Sequence, residues 1–282
     1  MEYTLSAIQN IKSGALSLIR RGRHIAWCPD WMNLGNLLYV GMWAHEGRMS
    51  GEPRFALLHP HKRSALETFP QLMDRVFVTK NEVRFLDRRE MPWSGEGDLR
   101  DEHYAPPLLS SYISDLLLPA SPVAARPGDI HDDALVLNVR RGDYFSVPEH
   151  RSAFGIDTAA YSFEAVSTAV SEGSSPSEIT VVSDDIDWCR EHLQDLNEFA
   201  PVRMRDGGVV DDLAALVHAP RLVIPNSTFS YWGGYIGDVV NPGRQVFAPG
   251  FFTRTTNNGK AWQLRPHWRV IEDTPSGWSD PA

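Results

Sequence analysis

The sequence has few cysteines, no long apolar run and no basic stripe. Its two cysteines, Cys28 and Cys189, lie far apart in the chain, which excludes a disulfide framework or a cysteine-based zinc site. No segment contains the roughly 18 to 20 apolar residues that a membrane-spanning helix needs. The initial stretch MEYTLSAIQNIKSGALSLIRRGRH lacks the apolar segment and cleavage pattern of a signal peptide. We therefore expect a soluble, cytoplasmic, bacterial protein without a membrane span.

The charge balance limits the class of partner. The chain has 27 basic and 36 acidic residues and a formal net charge of −9. An acidic chain without a basic stripe is poorly suited to nucleic acid or to an anionic membrane surface. A local group of arginines can still bind an anionic small molecule. Because 42% of the residues are hydrophobic, we expect a large folded core rather than disorder.

The second half of the chain alternates short apolar runs with helix-like segments. The runs are rich in β-branched residues, as buried parallel strands are. This alternation predicts βαβ units and a parallel sheet. Strands are predicted at 134–139, 178–182, 201–204, 221–225 and 244–250, and helices at 161–173, 187–196, 211–219 and 227–237.

The first half is less regular but also indicates α/β structure. Strands are predicted at 23–28, 54–59 and 75–79, and a loop followed by a helix at 33–48. The segment LPASPVAARPGDI at 118–130 contains three prolines among small residues and is a candidate linker. We therefore predict two α/β lobes that face each other across a cleft, with boundaries at 1–120 and 121–282.

Polar side chains follow three predicted strands of the second half. Because ligands of parallel sheets bind beyond the carboxyl ends of the strands, we expect these side chains to gather at one edge. They are Arg140, Arg141, Gly142 and Asp143 after the first strand, Ser183, Asp184 and Asp185 after the second, and Asn226, Ser227, Thr228, Phe229 and Ser230 after the third.

This set of groups suits a nucleoside diphosphate. Arginine forms bidentate hydrogen bonds to phosphate, and a helix N-terminus at Ser227 and Thr228 favours an anion. A carboxylate such as Asp184 can accept the two adjacent donors of a guanine edge. Since side chains alternate along a strand, Arg140 shares a face with Asn138 and Arg141 points the other way. We expect Arg140 to meet the pyrophosphate, and Arg141 to pair with an acid such as Asp143 and hold the loop.

Each of these features also has a purely structural interpretation. Paired arginines at a strand end often form salt bridges, and aspartate or serine before a helix is commonly a cap. The tripeptide Arg141-Gly142-Asp143 could also be an adhesion ligand, but that role needs secretion and a mobile loop. The functional interpretation therefore depends on the joint placement of these groups.

Five segments of the sequence resemble the motifs of glycosyltransferase family 11, the α-1,2-fucosyltransferases. The first resembles the family's His-x-Arg-Arg-Gly-Asp-Tyr motif, the second its Ser-Asp-Asp motif, and the third its Asn-Ser-(Ser/Thr)-Phe-Ser-Trp-Trp motif. The fourth is similar to an N-terminal Gly-Leu-Gly-Asn turn, and the fifth to an Ile-Ala-Pro stretch. In this order they are VLNVRRGDYFS (136–146), VVSDDIDWCRE (181–191), IPNSTFSYWGGYIG (224–237), MNLGNLLYVGMWA (32–44) and QVFAPGFF (245–252).

The resemblance implies an α/β, GT-B-like fold with the acceptor lobe first and the donor lobe second. It implies GDP-fucose as donor, inversion at the sugar carbon, a carbohydrate or glycosylated acceptor, no required cofactor and no metal site. By position, Arg140 would hold the β-phosphate and Asp184 would read guanine. Ser227 and Thr228 would contact phosphate, and Gly35 and Asn36 would border the cleft.

The chain departs from the family pattern at Asn138, which stands where the motif has histidine. A different nucleotide sugar is therefore an alternative donor, and an inactive nucleotide-binding homologue is another alternative. As a mechanism we expect Arg140 and the 227–230 helix start to stabilise the diphosphate leaving group. Asp143, Glu149 and His150, in the loop after the first motif, are candidates for the base that deprotonates the acceptor. The predicted donor-binding residues are Asn138, Arg140, Ser183, Asp184, Asp185, Asn226, Ser227, Thr228, Phe229, Gly35 and Asn36, and the predicted catalytic residues are Arg140, Asp143 and Glu149.

Overall fold

The computed structural model describes residues 21–93 and 104–272. These residues contain two separate sheets, one of four strands and one of six, and every strand pair within them is parallel. Helices connect the strands of each sheet. The predicted architecture of two Rossmann-like α/β lobes is therefore confirmed. The predicted boundary between residues 120 and 121 falls between the two sheets and stays a prediction.

The first sheet has the strand order β3-β2-β1-β4. The predicted strand at 75–79 is mostly wrong, because Pro70 starts a helix that runs to Val76 and leaves only two residues extended. The last strand was not predicted, since its residues are charged and mostly exposed. The strands are β1 (His24–Ala26), β2 (Arg54–Leu57), β3 (Phe77–Val78) and β4 (Arg88–Glu90), and the helices are α1 (Leu34–Met49), α2 (Arg63–Leu66), α3 (Pro70–Val76) and α4 (Pro106–Tyr112), the last continued by a π-helix at Ile113–Leu117.

The second sheet has the strand order β10-β9-β8-β5-β6-β7. Strands β6 and β7 lie on one side of β5, and the later strands β8, β9 and β10 lie on its other side. This is the strand order of a dinucleotide-binding fold, whose ligands bind where the order reverses. The reversal lies between β5 and β8. The strands are β5 (Leu135–Val139), β6 (Ile179–Ser183), β7 (Val202–Arg205), β8 (Arg221–Val223), β9 (Gln245–Pro249) and β10 (Arg269–Ile271).

Three helices of the second lobe follow the predicted segments at 161–173, 211–219 and 227–237 closely. The stretch expected to be a loop after the first motif instead forms two short helices, Gly142–Ser146 and Pro148–Phe154. The predicted helix at 187–196 is shorter than expected, because it ends at His192 and continues as a 3-10 turn at Gln194–Glu198. Over the described parts of the chain, no helix combines the length and apolar character that crossing a bilayer requires. The helices are α5 (Gly142–Ser146), α6 (Pro148–Phe154), α7 (Thr158–Ser171), α8 (Ile186–His192), α9 (Val209–His218) and α10 (Thr228–Val240).

The two lobes share one buried core. Helix α1 of the first lobe packs against α10 of the second. The indole of Trp232 donates to the carbonyl of Gly35 at 2.9 Å, and the Tyr39 ring lies 5.0 Å from the Trp232 ring, centroid to centroid. The candidate linker also packs, since Val123 is fully buried and its carbonyl lies 3.1 Å from the His218 ring. The segment 118–130 is therefore part of the folded core rather than a flexible linker.

Candidate functional site

The expected polar residues gather at the carboxyl edge of the second sheet. Strands β5 and β6 are neighbours, and β8 lies on the other side of β5. The segments that begin at Arg140, Asp184 and Asn226 therefore leave adjacent strands at the same edge. This edge includes the reversal of strand order, which is where a ligand of such a sheet binds.

Arg140 lies directly after β5 and holds two carboxylates. One terminal guanidinium nitrogen donates to Asp184 Oδ2 at 2.6 Å, and the other donates to Asp143 Oδ1. The guanidinium carbon also lies 5.2 Å from the centroid of the Tyr144 ring. The Arg140 side chain is 29% exposed. Its orientation is therefore fixed while part of the cation still faces solvent, where it can meet an anion.

Asp184 connects the two arginines. Its Oδ2 accepts from the Arg140 side chain, and its Oδ1 accepts from the backbone N–H of Arg141 at 2.8 Å. Gly142 makes this approach possible, because a Cβ at that position would collide with Asp184 Oδ2. Both carboxylate oxygens of Asp184 therefore bind groups of the first motif.

Arg141 points away from Arg140, as strand alternation predicts. Its guanidinium carbon lies 3.9 Å from the centroid of the Phe145 ring and 4.0 Å from a ring centroid of Trp188. Its Nε lies 3.6 Å from Asp185 Oδ2. The acid beside Arg141 is therefore Asp185, whereas Asp143 pairs with Arg140. Because the Arg141 side chain is only 11% exposed, the Arg-Gly-Asp tripeptide is not displayed as an adhesion loop.

Asn138 is buried inside the lobe. Its side-chain amide donates to the Val182 carbonyl at 3.0 Å, and its Oδ1 accepts from the Ser230 hydroxyl. The side chain thus joins β5 to β6 and to the first turn of α10. Both ends of the Asn138 amide are occupied by the protein.

The segment after β8 forms the start of α10. Asn226 is buried and donates to the carbonyls of Phe154 at 2.9 Å and Phe252 at 2.8 Å, which fixes the loop. Ser227 is the N-cap residue, but its side chain makes no capping hydrogen bond to the helix. Thr228 and Phe229, which begin the helix, are half-buried. The first turn therefore has the dipole and backbone N–H groups that favour an anion.

Gly35 brings the first lobe to this same helix start. It is in the first turn of α1, and a Cβ at this position would lie 2.6 Å from the Phe229 nitrogen and 2.7 Å from Thr228 Oγ1. Two helix N-termini, one from each lobe, therefore meet here. The next residue, Asn36, has a buried Oδ1 without a hydrogen-bond partner in the described part of the chain. A buried acceptor without a protein partner is rare in folded proteins, and this oxygen can accept a hydrogen bond.

The remaining predicted residues lie around this centre. Ser183 Oγ accepts from the Asp185 N–H at 3.0 Å, and Asp185 caps α8 through the Trp188 N–H. His150 Nδ1 lies 3.4 Å from Asp143 Oδ2. Glu149 is exposed in the first turn of α6.

Cys189 lies behind the site and is fully buried. Burial raises the pKa of its thiol to about 11. The thiol therefore stays protonated at neutral pH and is not a nucleophile.

Two features of the site did not emerge from the sequence. Tyr144 stacks on Phe154 with 4.7 Å between ring centroids, and its hydroxyl donates to the Asn226 carbonyl at 3.4 Å. Its place in the first motif could have indicated this role. The second feature is a surface cavity of about 430 Å³ beyond the carboxyl ends of β1 and β2, lined by Trp27, Leu57, Leu58, His59, Pro60, Arg63, Thr79, Lys80 and Asn81. No local pattern marks this cavity, because it is formed by three separate loops.

Several solved structures have a similar overall shape. A crystal structure of POFUT1 in complex with GDP has a TM-score of 0.46 and 13% sequence identity, and covers 80% of this chain and 98% of that chain. The E. coli heptosyltransferase WaaC with ADP has a TM-score of 0.41 and 9% identity, and covers 88% and 92% of the respective chains.

The sequence comparisons each cover less than half of the chain. Residues 125–246 match the family model described as glycosyl transferase family 11. An alpha-1,2-colitosyltransferase from Escherichia coli is 27% identical over 106 residues, which are 37% of this chain and 36% of that protein. A galactoside alpha-(1,2)-fucosyltransferase 1 from Ateles belzebuth is 30% identical over 120 residues, which are 41% of this chain and 32% of that protein. The matched part therefore spans about a third of these relatives. Residues 125–246 are therefore similar to glycosyl transferase family 11, and the resemblance predicted from the motifs is confirmed for this part of the chain.

Proposed function

We propose that this protein is an inverting glycosyltransferase that transfers fucose from GDP-fucose to a hydroxyl of a glycan or glycosylated small molecule. The observation that carries the proposal is the position of Arg140 and the α10 start, which follow neighbouring strands at the reversal of strand order, where Gly35 of α1 also approaches α10. The family match of residues 125–246 supports the same class of reaction. In this proposal residues 1–120 form the acceptor-side lobe and residues 121–282 form the donor lobe.

The donor diphosphate is proposed to lie between Arg140 and the start of α10. Arg140 is already ordered by its two carboxylates, so its remaining N–H groups bind phosphate without a further entropic cost. The Ser227 and Thr228 hydroxyls and the first-turn amides supply further donors. Asn36 Oδ1 is an acceptor and cannot bind a phosphate oxygen, so we assign it to a hydroxyl of the donor or acceptor.

The proposed roles of the two aspartates after β6 differ. Asp184 orients Arg140 through the 2.6 Å ion pair. Reading of guanine by Asp184 stays a prediction and requires this ion pair to open, because the base and the β-phosphate lie at opposite ends of GDP. Asp185 is 40% exposed and positions Arg141 and α8. Ser183, Asn226 and Phe229 complete the shape of the donor site in this proposal.

The transfer step follows from these positions. As the bond to the donor sugar breaks, negative charge builds on the diphosphate, and Arg140 with the α10 start stabilises that charge. The acceptor oxygen forms the new bond to the sugar carbon and loses its proton to a carboxylate of the two short helices that follow β5. We propose Asp143, which also contacts His150, for this role and Glu149 as the second candidate.

The acceptor is proposed to occupy the 430 Å³ cavity of the first lobe. This cavity lies beyond the carboxyl ends of parallel strands, where ligands of such sheets bind. Trp27 offers an aromatic face for a sugar ring, and Arg89 already lies 4.6 Å over one side of it. A cytoplasmic location, a bacterial origin and the lack of a required cofactor or nucleic-acid partner remain predictions from the sequence.

A second candidate function uses a different donor. One relative is named a colitosyltransferase, and Asn138 occupies the position of the motif histidine. Because Asn138 is bonded to Val182 and Ser230, we propose that it shapes the donor site by fixing α10. A colitosyl nucleotide as donor would fit this second reading.

Calorimetry and transfer assays test the proposal. GDP should bind more tightly than UDP, and Arg140→Ala should abolish transfer while leaving the thermal unfolding temperature near that of the wild type. Arg190→Ala is the matched control, because Arg190 is 55% exposed and pairs with Asp187 on the surface of α8. Near-wild-type turnover of Arg140→Ala would contradict the mechanism. Tight GDP binding without donor hydrolysis or transfer would instead identify an inactive homologue, and preferred transfer of colitose would select the second candidate.

A further inference from the structure

Three side chains with metal-ligating atoms meet in the first lobe, outside the proposed donor site. They are Asp30, in the loop after β1, and His59 and His61, in the loop after β2. Asp30 Oδ1 lies 3.7 Å from His59 Nδ1 and 3.6 Å from His61 Nε2. The three ligand atoms all lie within 4.8 Å of one another.

The backbone selects the tautomer of the neutral His59 ring. Its Nε2 lies 2.6 Å from the carbonyl oxygen of Cys28. A carbonyl only accepts hydrogen bonds, so Nε2 carries the hydrogen, and the Nδ1 of the neutral ring has a free lone pair. That lone pair is on the side of Asp30. Histidines that bind metals commonly donate their other ring N–H to a backbone carbonyl in this way, which fixes both tautomer and ring orientation.

The distances from Asp30 to the two histidines fit a small divalent cation. Metal–ligand bonds of about 2 Å in a tetrahedron place the ligand atoms about 3.3 Å apart. The two distances from Asp30 Oδ1 exceed this value by only a few tenths of an ångström. Two imidazoles and one carboxylate suit zinc and its neighbours better than calcium or magnesium, which prefer all-oxygen sites.

The local backbone holds the two histidines in place. Pro60 begins a 3-10 turn at Pro60–Lys62, which separates His59 from His61 by one turn residue and brings their rings to 5.6 Å between centroids. The neighbouring Lys62 directs its ammonium to Asn33 Oδ1 at 3.4 Å. The cation nearest in sequence therefore has its own acceptor in α1's N-cap residue.

From this arrangement we propose that Asp30, His59 and His61 form a binding site for a zinc-class divalent cation. Three protein ligands leave one tetrahedral position for water or another ligand. Because His59 also lines the 430 Å³ cavity, the bound cation would join the loop after β1 to the turn that forms the cavity rim. The site lies outside the proposed donor site and borders the cavity proposed for the acceptor through His59. Its argument rests on the three ligand atoms and does not require the identity of the donor or the acceptor.

The test uses untagged protein, treated with a chelator and titrated with Zn²⁺ alone by calorimetry. The wild type should bind one Zn²⁺ per chain. His61→Ala and Asp30→Asn should each weaken binding by at least the roughly 10- to 100-fold seen when a supporting contact of a metal site is removed. His131→Ala is the matched control, because His131 is an exposed histidine outside the cluster.

Thermal unfolding without metal checks that the variants fold. His61 and Asp30 are 53% and 79% exposed, so their replacement should leave the metal-free unfolding temperature unchanged. Added Zn²⁺ should raise the unfolding temperature of the wild type and His131→Ala but not that of His61→Ala. Absence of Zn²⁺ binding by the wild type would overturn the proposal, as would equal affinities of the wild type, His61→Ala and Asp30→Asn. In either case Asp30, His59 and His61 are neighbouring polar side chains that do not form a metal site.

Discussion

The contact between Gly35 and the start of α10 gives the sharpest prediction. Replacement of Gly35 by alanine adds a Cβ that would lie 2.6 Å from the Phe229 nitrogen and 2.7 Å from Thr228 Oγ1. The nearest contact involves backbone, which cannot rotate away as a flexible side chain does. The start of α1 and the start of α10 must therefore move apart.

The required movement can be read from these distances. An ordinary contact begins at 3.4 Å, so relief of the 2.6 Å contact takes about 0.8 Å. Misplacement of binding groups by about 1 Å can reduce a rate about 100-fold. We expect kcat/KM for donor transfer to fall about 10- to 100-fold in Gly35→Ala, equivalent to about 1.4 to 2.7 kcal/mol. Overpacking should also lower the free energy of unfolding by about 1 to 3 kcal/mol.

The measurement is steady-state transfer together with GDP affinity and thermal unfolding. Gly128→Ala is the matched control, because a Cβ at Gly128 meets nothing within 4 Å. This control should keep wild-type kinetics. Wild-type GDP affinity and kcat/KM in Gly35→Ala would refute the reasoning, because they would show that the relative placement of the two helix starts does not matter for the donor.

Three further predictions concern stability. Ser230→Ala should lower the free energy of unfolding by about 1 to 3 kcal/mol, because Asn138 Oδ1 loses its donor while buried; chemical denaturation measures this, and an unchanged midpoint would contradict it. Burial raises the pKa of Asp212 to about 6 despite the nearby Arg205, so the folded state holds this proton more tightly than the unfolded state. The free energy of unfolding of the wild type should therefore fall as pH rises from about 4 to about 6. In Asp212→Asn this decrease should be smaller by up to about 3 kcal/mol. If the free energy of unfolding of the two proteins changed in parallel with pH, this explanation would be wrong. Arg244→Met should lower the free energy of unfolding by about 3 to 5 kcal/mol, because the buried guanidinium binds carbonyls at the end of α9. A thermal unfolding temperature equal to that of the wild type would exclude this role.

Most of the second lobe was predictable because its strands are continuous apolar runs with clear ends. The runs around Val136, Val181 and Leu222 are buried strands. The first lobe was less predictable. Its β4 begins at Arg88 and has no apolar pattern, since it is an edge strand stabilised by pairing with β1. The predicted strand at 75–79 contains apolar, β-branched residues, but the helix that begins at Pro70 extends to Val76 and takes up the first two of its residues.

The sequence by itself determined the class of fold and the set of groups at the strand ends. Local periodicity carries this information, because each strand and helix buries its own apolar face. Strand alternation also determined that Arg140 and Arg141 point in opposite directions.

Only the tertiary structure decided how these groups are combined. The strand order places β5 beside β8, so Arg140 and the start of α10 follow neighbouring strands at the same edge of the sheet. The pairing of Arg140 with Asp184, the enclosure of Asn138, the approach of Gly35 and the cluster at Asp30 all join residues from separate strands or loops. Such contacts leave no trace in local periodicity, because they arise when distant segments pack together.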